Sequence, residues 1–230
     1  MKKKIAVIGS GIAGLTSAYF LQNDFEVTIF EKNDYLGGHA NTQTVKDSQN
    51  QSINIDTGFI VYNEFTYPNL TKLFDILDVP VTNSDMSFSF YNSQSLFEYG
   101  GGSIKALFAN PQNLWNWKFY KMLKDIVYFY KYFQNNNVTS SISIRQYLES
   151  KKFSSEFINN HFLPLISSIW STPDNDSLDQ PLSSIVSFFQ NHKLFNFTNR
   201  PKWKTVSGGS HNYIRRLTKN SNFQIKKSIE

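Results

Sequence analysis

The chain has 230 residues, of which 40% are apolar and 18% are charged, and this composition excludes a disordered protein. It contains no cysteine, which excludes a disulfide scaffold, a thiolate zinc site, an iron–sulfur cluster and a cysteine nucleophile. The net charge of +5 comes from scattered lysines rather than from a dense basic stripe, so we do not expect a nucleic-acid-binding protein.

The N-terminus joins a basic start to a largely apolar run that ends at Leu21, as a signal peptide does. Gly9, Gly11 and Gly14 interrupt this run and no cleavage site follows it, so we do not expect secretion. No apolar run reaches the ~18 residues that a transmembrane helix needs. We therefore expect a cytoplasmic protein, and weak contact with an anionic membrane surface stays open as an alternative.

The opening of the chain predicts a β-strand, a tight turn, a helix and a second β-strand. Lys4–Ile8 is a short apolar run that suits a buried parallel strand, and Ile12–Asn23 has helical spacing. Glu26–Glu31 is again rich in strand-forming residues. Two strands with one helix between them predict at least the first part of a βαβ unit.

The next segment predicts two hairpins with a helix between them. Thr42–Val45 and Ser52–Asp56 flank a polar turn and form the first hairpin. Leu70–Leu77 has helical spacing and stops before Pro80, and Met86–Tyr99 alternates around a second polar turn.

Residues 103–192 predict mostly helices. The longest, Leu114–Phe133, is dense in aromatic residues and lysines. It has two interpretations: a helix that faces the core of a second domain, or a wall of a hydrophobic substrate channel whose lysines touch a membrane. Ser143 and Gln146 form a capping box that opens a further helix. A helix after Gly208-Gly209 and a strand over Phe223–Ile229 are predicted at the end.

The strongest chemical signal is the turn Gly9-Ser10-Gly11-Ile12-Ala13-Gly14, which lies directly between the first strand and the first helix. In such a turn the first glycine permits the bend, the second lets the backbone approach a pyrophosphate, and the third lets helix and strand pack closely. The N-terminus of the helix offers unpaired N–H groups to the phosphates. Glu31 ends the second strand, 22 positions after Gly9, which is the spacing of a carboxylate that binds ribose hydroxyls. These residues predict a dinucleotide site.

Three further segments resemble those of the flavin-containing amine oxidase and phytoene desaturase superfamily. Leu36-Gly37-Gly38-His39 resembles the Gly-Gly turn that follows the ribose-binding acid in FAD-containing flavoproteins. Asp56-Thr57-Gly58-Phe59 resembles the segment that passes the flavin, and Trp203–Ser210 resembles the Gly-Gly turn that precedes a helix in this superfamily. The chain resembles in particular the bacterial branch of NAD/FAD-binding, amine-oxidase-like proteins.

The resemblance implies an α/β flavoprotein, in which a FAD-binding, Rossmann-like domain of the glutathione reductase type carries an inserted α+β substrate domain that is mostly helical. It implies a discontinuous FAD-binding domain over residues 1–62 and 203–230. The substrate domain would span residues 63–202, with a hairpin near 86–99. Members of the superfamily are longer, so the resemblance also implies that the chain is an N-terminal half that is inactive on its own.

The resemblance assigns roles to individual residues. The pyrophosphate would be held by Gly9, Gly11, Ile12, Ala13 and Gly14, and the adenosine ribose by Glu31. The phosphate or ribityl side would be lined by Gly37, Gly38 and His39. The isoalloxazine ring would be approached by Thr57, Gly58 and Phe59, and the adenine would be flanked by Ile229. Many relatives have arginine at position 39, so the histidine leaves open whether this residue is a phosphate ligand or only a hydrogen-bond donor.

The function implied by the resemblance is that of an oxidoreductase with non-covalent FAD, which takes a hydride from a small organic substrate, either an amine or an apolar chain. No side chain is identified as the catalytic base. The alternatives are a non-redox flavin enzyme, such as a sugar-nucleotide mutase, and a flavin-free binding protein of the same fold.

No metal site is expected. His161, His192 and His211 match no metal-ligand spacing, and we interpret them as structural histidines. Asp174, Asp176 and Asp179 alternate like calcium ligands but lack the glycine and the closing glutamate of such a loop, which predicts a solvated loop.

Overall fold

The computed structural model describes residues 1–138, 141–170, 177–219 and 221–229. The chain divides into two compact units, of which the first comprises Met1–Asp85 and Lys202–Glu230 and the second comprises Met86–Pro201. The predicted substrate domain began at residue 63, whereas the structure places residues 63–85 in the first unit.

The helices and strands are numbered in chain order over the described residues. The strands are β1 (Lys4–Ile8), β2 (Glu26–Phe30), β3 (Thr42–Lys46), β4 (Ser52–Asp56), β5 (Val81–Ser84), β6 (Ser89–Asn92), β7 (Phe97–Gly100), β8 (Trp203–Val206) and β9 (Gln224–Lys226). The helices are α1 (Ile12–Leu21), α2 (Pro68–Ile76), α3 (Ile104–Leu107), α4 (Trp117–Asn135), α5 (Ile144–Ser150), α6 (Ser155–Phe157), α7 (Leu163–Trp170), α8 (Leu182–Asn191) and α9 (His211–Lys219). A 3₁₀ turn spans Pro111–Trp115, and a π-helical turn spans Ile158–Phe162.

A parallel sheet forms the centre of the first unit, with the strand order β1-β2-β9. α1 connects β1 to β2 and buries Leu15 and Ala18 in the same core as Val27 and Ile29 of β2. A helical crossover between two parallel strands is the βαβ arrangement that the sequence predicts. The predicted α/β class with a Rossmann-like unit is confirmed.

The segment that the predicted boundary assigned to the substrate domain is held by the core of the first unit. α2 buries Leu73 and Phe74 in the cluster that contains Tyr213 of α9. β5 pairs antiparallel with β8, with Val81 opposite Val206. The strand pairing and the shared apolar core therefore explain why the second unit begins only at Met86.

Aromatic side chains fill the core of the second unit. Phe129 of α4 lies at its centre, where its ring lies 4.8 Å from that of Phe133 and 5.1 Å from that of Phe162. α4 contributes to this core with residues at helical spacing, namely Phe119, Met122, Ile126, Phe129, Tyr130 and Phe133. The core-facing interpretation of the aromatic–lysine helix therefore describes this face of α4.

The second unit contains the predicted hairpin and helices, but some of them begin or end at other residues than predicted. α4 begins at Trp117 because the Asn116 side chain caps it, whereas the sequence predicted a start at Leu114. β6 and β7 form the predicted hairpin. The capping box of Ser143 and Gln146 opens α5, as predicted.

The aspartate-rich loop lies partly outside the described residues, which do not include Asp174 and Asp176. Asp179 forms an ion pair with Arg145, with 2.9 Å between Oδ1 and Nε. Within the described ranges, no group of three His, Asp or Glu side chains is arranged to hold a metal ion. None of the helices in the described part of the chain combines the length and the apolar character needed to cross a bilayer.

Candidate dinucleotide-binding site

The first glycine turn bends the chain from β1 into α1. Gly9 has a φ of +89°, a conformation that favours glycine, and its N–H donates to the carbonyl of Phe30 at 2.8 Å. Gly11 is the N-cap residue of α1, and no side chain caps this helix end. The first N–H groups of α1 therefore have no capping side chain and can face a bound anion.

The three glycines of this turn meet different surroundings. A Cβ atom on Gly9 or Gly11 would have nothing within 4 Å. A Cβ atom on Gly14 would collide with the carbonyl oxygen of Gly9. The fold thus requires glycine at position 14 for close packing and leaves open space beside positions 9 and 11.

The second glycine turn lies beside the first. The N–H of Gly37 donates to the carbonyl of Ser10 at 3.0 Å, and Gly11 and Gly37 form a parallel bridge. A Cβ atom on Gly38 would approach the Cα of Gly11 to 3.3 Å. The structure therefore brings together two glycine turns that are 26 residues apart in the sequence (37 − 11).

Glu31 lies at the carboxyl end of β2 and is only 7% exposed. Its Oε1 accepts from the backbone N–H of Asn33 at 2.8 Å, and its Oε2 accepts from the Ser10 N–H at 2.7 Å and hydroxyl at 2.6 Å. These hydrogen bonds, with that from Asn33 first, lower the pKa of the carboxyl group although burial opposes them. Glu31 is therefore held as an oriented carboxylate.

Ser10 is the residue of this site that the sequence reasoning missed. It is fully buried, and its side chain serves Glu31 rather than solvent. The G-x-G pattern treats its position as variable, so the motif itself gives no signal. A hydroxyl residue between the two glycines, with an acid at the end of the next strand, is the signal that could have found it.

A cavity of about 520 Å³ opens at the ends of β1 and β2. Its lining brings together three residues that the sequence analysis selected from distant segments, Gly9, Glu31 and Ile229. The N–H of Ile229 donates to the carbonyl of Glu31 at 3.1 Å, which holds Ile229 against this edge. The remaining lining residues are Ile8, Phe30 and Lys32.

The Asp-x-Gly segment contacts the second glycine turn. The N–H of Phe59 donates to the carbonyl of His39 at 2.7 Å, and a Cβ on Gly58 would collide with that same oxygen. The hydroxyl of Thr57 donates to the carbonyl of Asn41 at 3.0 Å. The structure thus places residues 57–59 beside residue 39, and none of them lines the cavity at Glu31. The His39 side chain is exposed.

Asp56 joins three segments of the first unit. Its Oδ1 accepts from the hydroxyl of Thr42 at 2.6 Å and from the hydroxyl of Ser210 at 2.7 Å. The Thr42 hydroxyl in turn accepts from the N–H of His211 at 3.0 Å. The aspartate of the Asp-x-Gly segment therefore ties the β3–β4 hairpin to the start of α9, and the sequence did not indicate this role.

Comparisons with known proteins agree with this geometry. Residues 7–77 match the family of NAD(P)-binding Rossmann-like domains. The chain is 30% identical over 112 residues to coproporphyrinogen III oxidase of Staphylococcus aureus, a match that covers 46% of this chain and 23% of that protein. It is 57% identical over 37 residues to 1-hydroxycarotenoid 3,4-desaturase of a Flavobacterium species, which covers 16% of this chain and 8% of the other.

The solved structure of putrescine oxidase with bound putrescine has the same fold, with a TM-score of 0.67 and 14% sequence identity. The superposition covers 99% of this chain and 51% of that one, so the chain spans about half the length of this structural relative. The fold and the Rossmann-like match together confirm the resemblance drawn from the motifs: the chain is similar to the amine-oxidase-like flavoproteins in its N-terminal sequence and in its fold.

Proposed function

We propose that this chain binds FAD non-covalently and forms part of an FAD-dependent oxidoreductase. The observation that supports this proposal is that the two glycine turns lie side by side. The buried carboxylate of Glu31 lies next to the first of them. Nothing lies within 4 Å of a Cβ at Gly9 or Gly11, so an elongated diphosphate can approach the backbone there. The oriented carboxylate of Glu31 has a lone pair left on Oε1, which suits a ribose hydroxyl.

The residues present fit the parts of FAD in order. The N-terminus of α1, at Gly11 to Gly14, would hold the pyrophosphate, and Glu31 would accept hydrogen bonds from the ribose. Ile229 and the cavity at the end of β2 would hold the adenine. Residues 37–39 and 57–59 would lie toward the ribityl chain and the isoalloxazine ring, with His39 as a hydrogen-bond donor.

Bound FAD would supply the hydride acceptor, and the protein would supply position and electrostatics. The unpaired N–H groups of α1 stabilise negative charge through the helix dipole. The lowered pKa of Glu31 keeps that carboxylate ionised at neutral pH, so it accepts rather than donates hydrogen bonds. We assign no catalytic base to the described residues.

The substrate class is also a proposal. The curated relatives are named for a porphyrinogen and a carotenoid, and the solved relative holds putrescine. We therefore propose a small organic substrate that can lose a hydride, either an amine or an apolar chain. A sugar-nucleotide mutase is less well supported, because the arginine side chains bind groups of their own units, as Arg145 binds Asp179 and Arg216 binds the carbonyl of Leu77.

An absorption spectrum of the protein, as purified and after incubation with FAD, tests the cofactor. We expect the two visible bands of bound flavin and release of FAD on denaturation. Anaerobic bleaching with amines and with apolar polyenes then tests the substrate class. A protein that takes up no flavin would support the flavin-free alternative. Flavin that dithionite bleaches and no substrate bleaches would fit both the non-redox alternative and a half-length chain that is inactive on its own.

Replacing Glu31 with alanine is expected to weaken FAD binding about 10- to 100-fold, because one hydrogen bond to a charged acceptor contributes about 1.5–3 kcal/mol. Titration of FAD against flavin fluorescence measures the change. Glu26→Ala is the matched control, since Glu26 is an exposed glutamate on the same strand. Glu31→Gln keeps the shape of the site and should lose less affinity. An unchanged dissociation constant in Glu31→Ala would rule out the ribose assignment.

A further inference from the structure

The outward side of α4 exposes aromatic residues and lysines together. Its exposed aromatic residues are Trp117 at 67%, Tyr120 at 45%, Tyr128 at 48% and Tyr132 at 41%. Its exposed lysines are Lys118, Lys121, Lys124 and Lys131. The spacing of three and four residues places Trp117, Lys121, Lys124 and Tyr128 along one side of the helix. We call these eight residues the outer face of α4.

The charge of this face is positive and largely unpaired. Asp125 is the acidic residue of α4, and its carboxylate accepts from the backbone N–H of Ser154 at 2.9 Å. Lys118 pairs with Glu156 at 3.7 Å. Among the described residues, no ion pair involves Lys121, Lys124 or Lys131. These three charges are therefore available to an anionic partner.

The 3₁₀ turn before α4 extends the face with two apolar side chains. Trp115 is 90% exposed and Leu114 is 50% exposed. The hydroxyl of Tyr120 donates to the carbonyl of Leu114 at 3.1 Å, which ties the turn to the outer face. The free energy falls when the ring of so exposed a tryptophan leaves water. The aliphatic parts of the lysine side chains can lie along the same apolar surface.

We propose that the outer face of α4, together with Leu114 and Trp115, docks on the surface of an anionic lipid bilayer. Tryptophan and tyrosine prefer the headgroup region, where the ring is buried and the polar edge stays hydrated. Lysines beside them are attracted to anionic headgroups. A nucleic acid fits less well for two reasons. The outer face has no arginine that could bind a phosphate through two hydrogen bonds, and the Leu114 side chain can neither stack on a nucleobase nor form a hydrogen bond with it. The helix lies on the bilayer rather than across it.

Flotation with phosphatidylcholine vesicles, with and without phosphatidylglycerol, tests the proposal. The protein should float only with the anionic vesicles, and added salt should release it. Reversal of three charges, K121E with K124E and K131E, should weaken binding at least about 100-fold, since the loss of each lysine alone removes about 1 kcal/mol, or about fivefold. Trp115→Ser with Trp117→Ser should also weaken binding and should abolish the blue shift of the tryptophan emission.

The control carries the same change of charge on exposed lysines of the first unit, K46E with K72E and K219E. It should bind anionic vesicles like the unaltered protein, and circular dichroism should show that all the variants are folded. If both triple variants lost the same affinity for anionic vesicles, net charge alone would explain the effect, and the assignment of binding to the outer face of α4 would be overturned. Failure to float, or binding of a labelled oligonucleotide in place of vesicles, would overturn the lipid partner. Each of these readouts is independent of flavin content.

Discussion

A valine at Gly11 is expected to abolish FAD binding while the first unit stays folded. Gly11 has a φ of −66° and a ψ of 178°, which a β-branched residue adopts without strain. A Cβ atom there meets nothing within 4 Å in the protein, so the fold tolerates the side chain. The valine methyl groups would occupy the space in which a pyrophosphate approaches the backbone. The measurement is the flavin-to-protein absorbance ratio after incubation with FAD.

Gly14→Ala is the contrasting variant. Its added methyl group would collide with the Gly9 carbonyl, so we expect a loss of stability of at least about 1–3 kcal/mol from overpacking of the turn. Urea unfolding should therefore separate the two variants: Gly11→Val keeps the midpoint and loses the flavin, and Gly14→Ala lowers the midpoint. A Gly11→Val protein with a normal flavin ratio would contradict the assignment of this turn to the pyrophosphate.

The part of the site that could be predicted from the sequence depends on local backbone requirements. A strand, a glycine turn and a helix over some 20 residues need no distant contact, so the pattern of residues 4–31 predicts the geometry of the turn. Glu31 belongs to this group because its distance from Gly9 is set by one helix and one strand. Ile229 does not, and its position beside Glu31 was inferred from the resemblance alone.

The parts that could not be predicted depend on which apolar faces of helices and strands pack against each other in the folded chain. The apolar spacing of α2 is the same whether the helix packs on one unit or the other, and its partners Val206 and Tyr213 lie far along the chain. The resemblance implied a boundary at residue 63, whereas these contacts group residues 63–85 with the first unit. Ser10 was missed because its partner becomes visible only when β1 and β2 are paired in register.

The surroundings of His161 could not be predicted from the sequence either, because they come from three separate segments. It was interpreted as a structural histidine, and the structure buries it in the second unit between Tyr99 and Tyr130. The hydroxyl of Tyr99 donates to the carbonyl of Asn160 at 3.1 Å, so its oxygen accepts from Nδ1–H of the imidazole at 2.7 Å. The hydroxyl of Tyr130 then donates to Nε2 at 3.1 Å. This network satisfies both ring nitrogens of a neutral histidine.

A proton added to this ring would occupy Nε2, which could then no longer accept the hydrogen bond from the Tyr130 hydroxyl. Burial lowers the pKa of His161 to about 3. The titratable groups that face the ring are Tyr99 of β7 and Tyr130 of α4, and burial raises the pKa of both hydroxyls. Neither tyrosine can therefore supply a counter-charge at neutral or acidic pH.

The second unit is therefore expected to lose stability in mild acid. An unfolded chain protonates histidine below a pKa of about 6.5, whereas the folded unit stays neutral until about pH 3. The unfolded state then binds the extra proton, so the free energy of unfolding falls as pH drops from about 6.5 toward 3. Well below the unfolded pKa, the slope approaches about 1.4 kcal/mol per pH unit for this one group.

Urea unfolding of the chain at pH 7 and at pH 5, followed by aromatic fluorescence, measures this slope. His161→Gln removes the titrating ring and keeps a side chain that can both donate and accept, so its free energy of unfolding should fall by about 2 kcal/mol less than that of the unaltered protein between these two values. His192→Gln, which replaces the other histidine of the second unit, is the matched control. If His161→Gln and the unaltered protein lose the same stability, the buried ring does not set the acid sensitivity of this core.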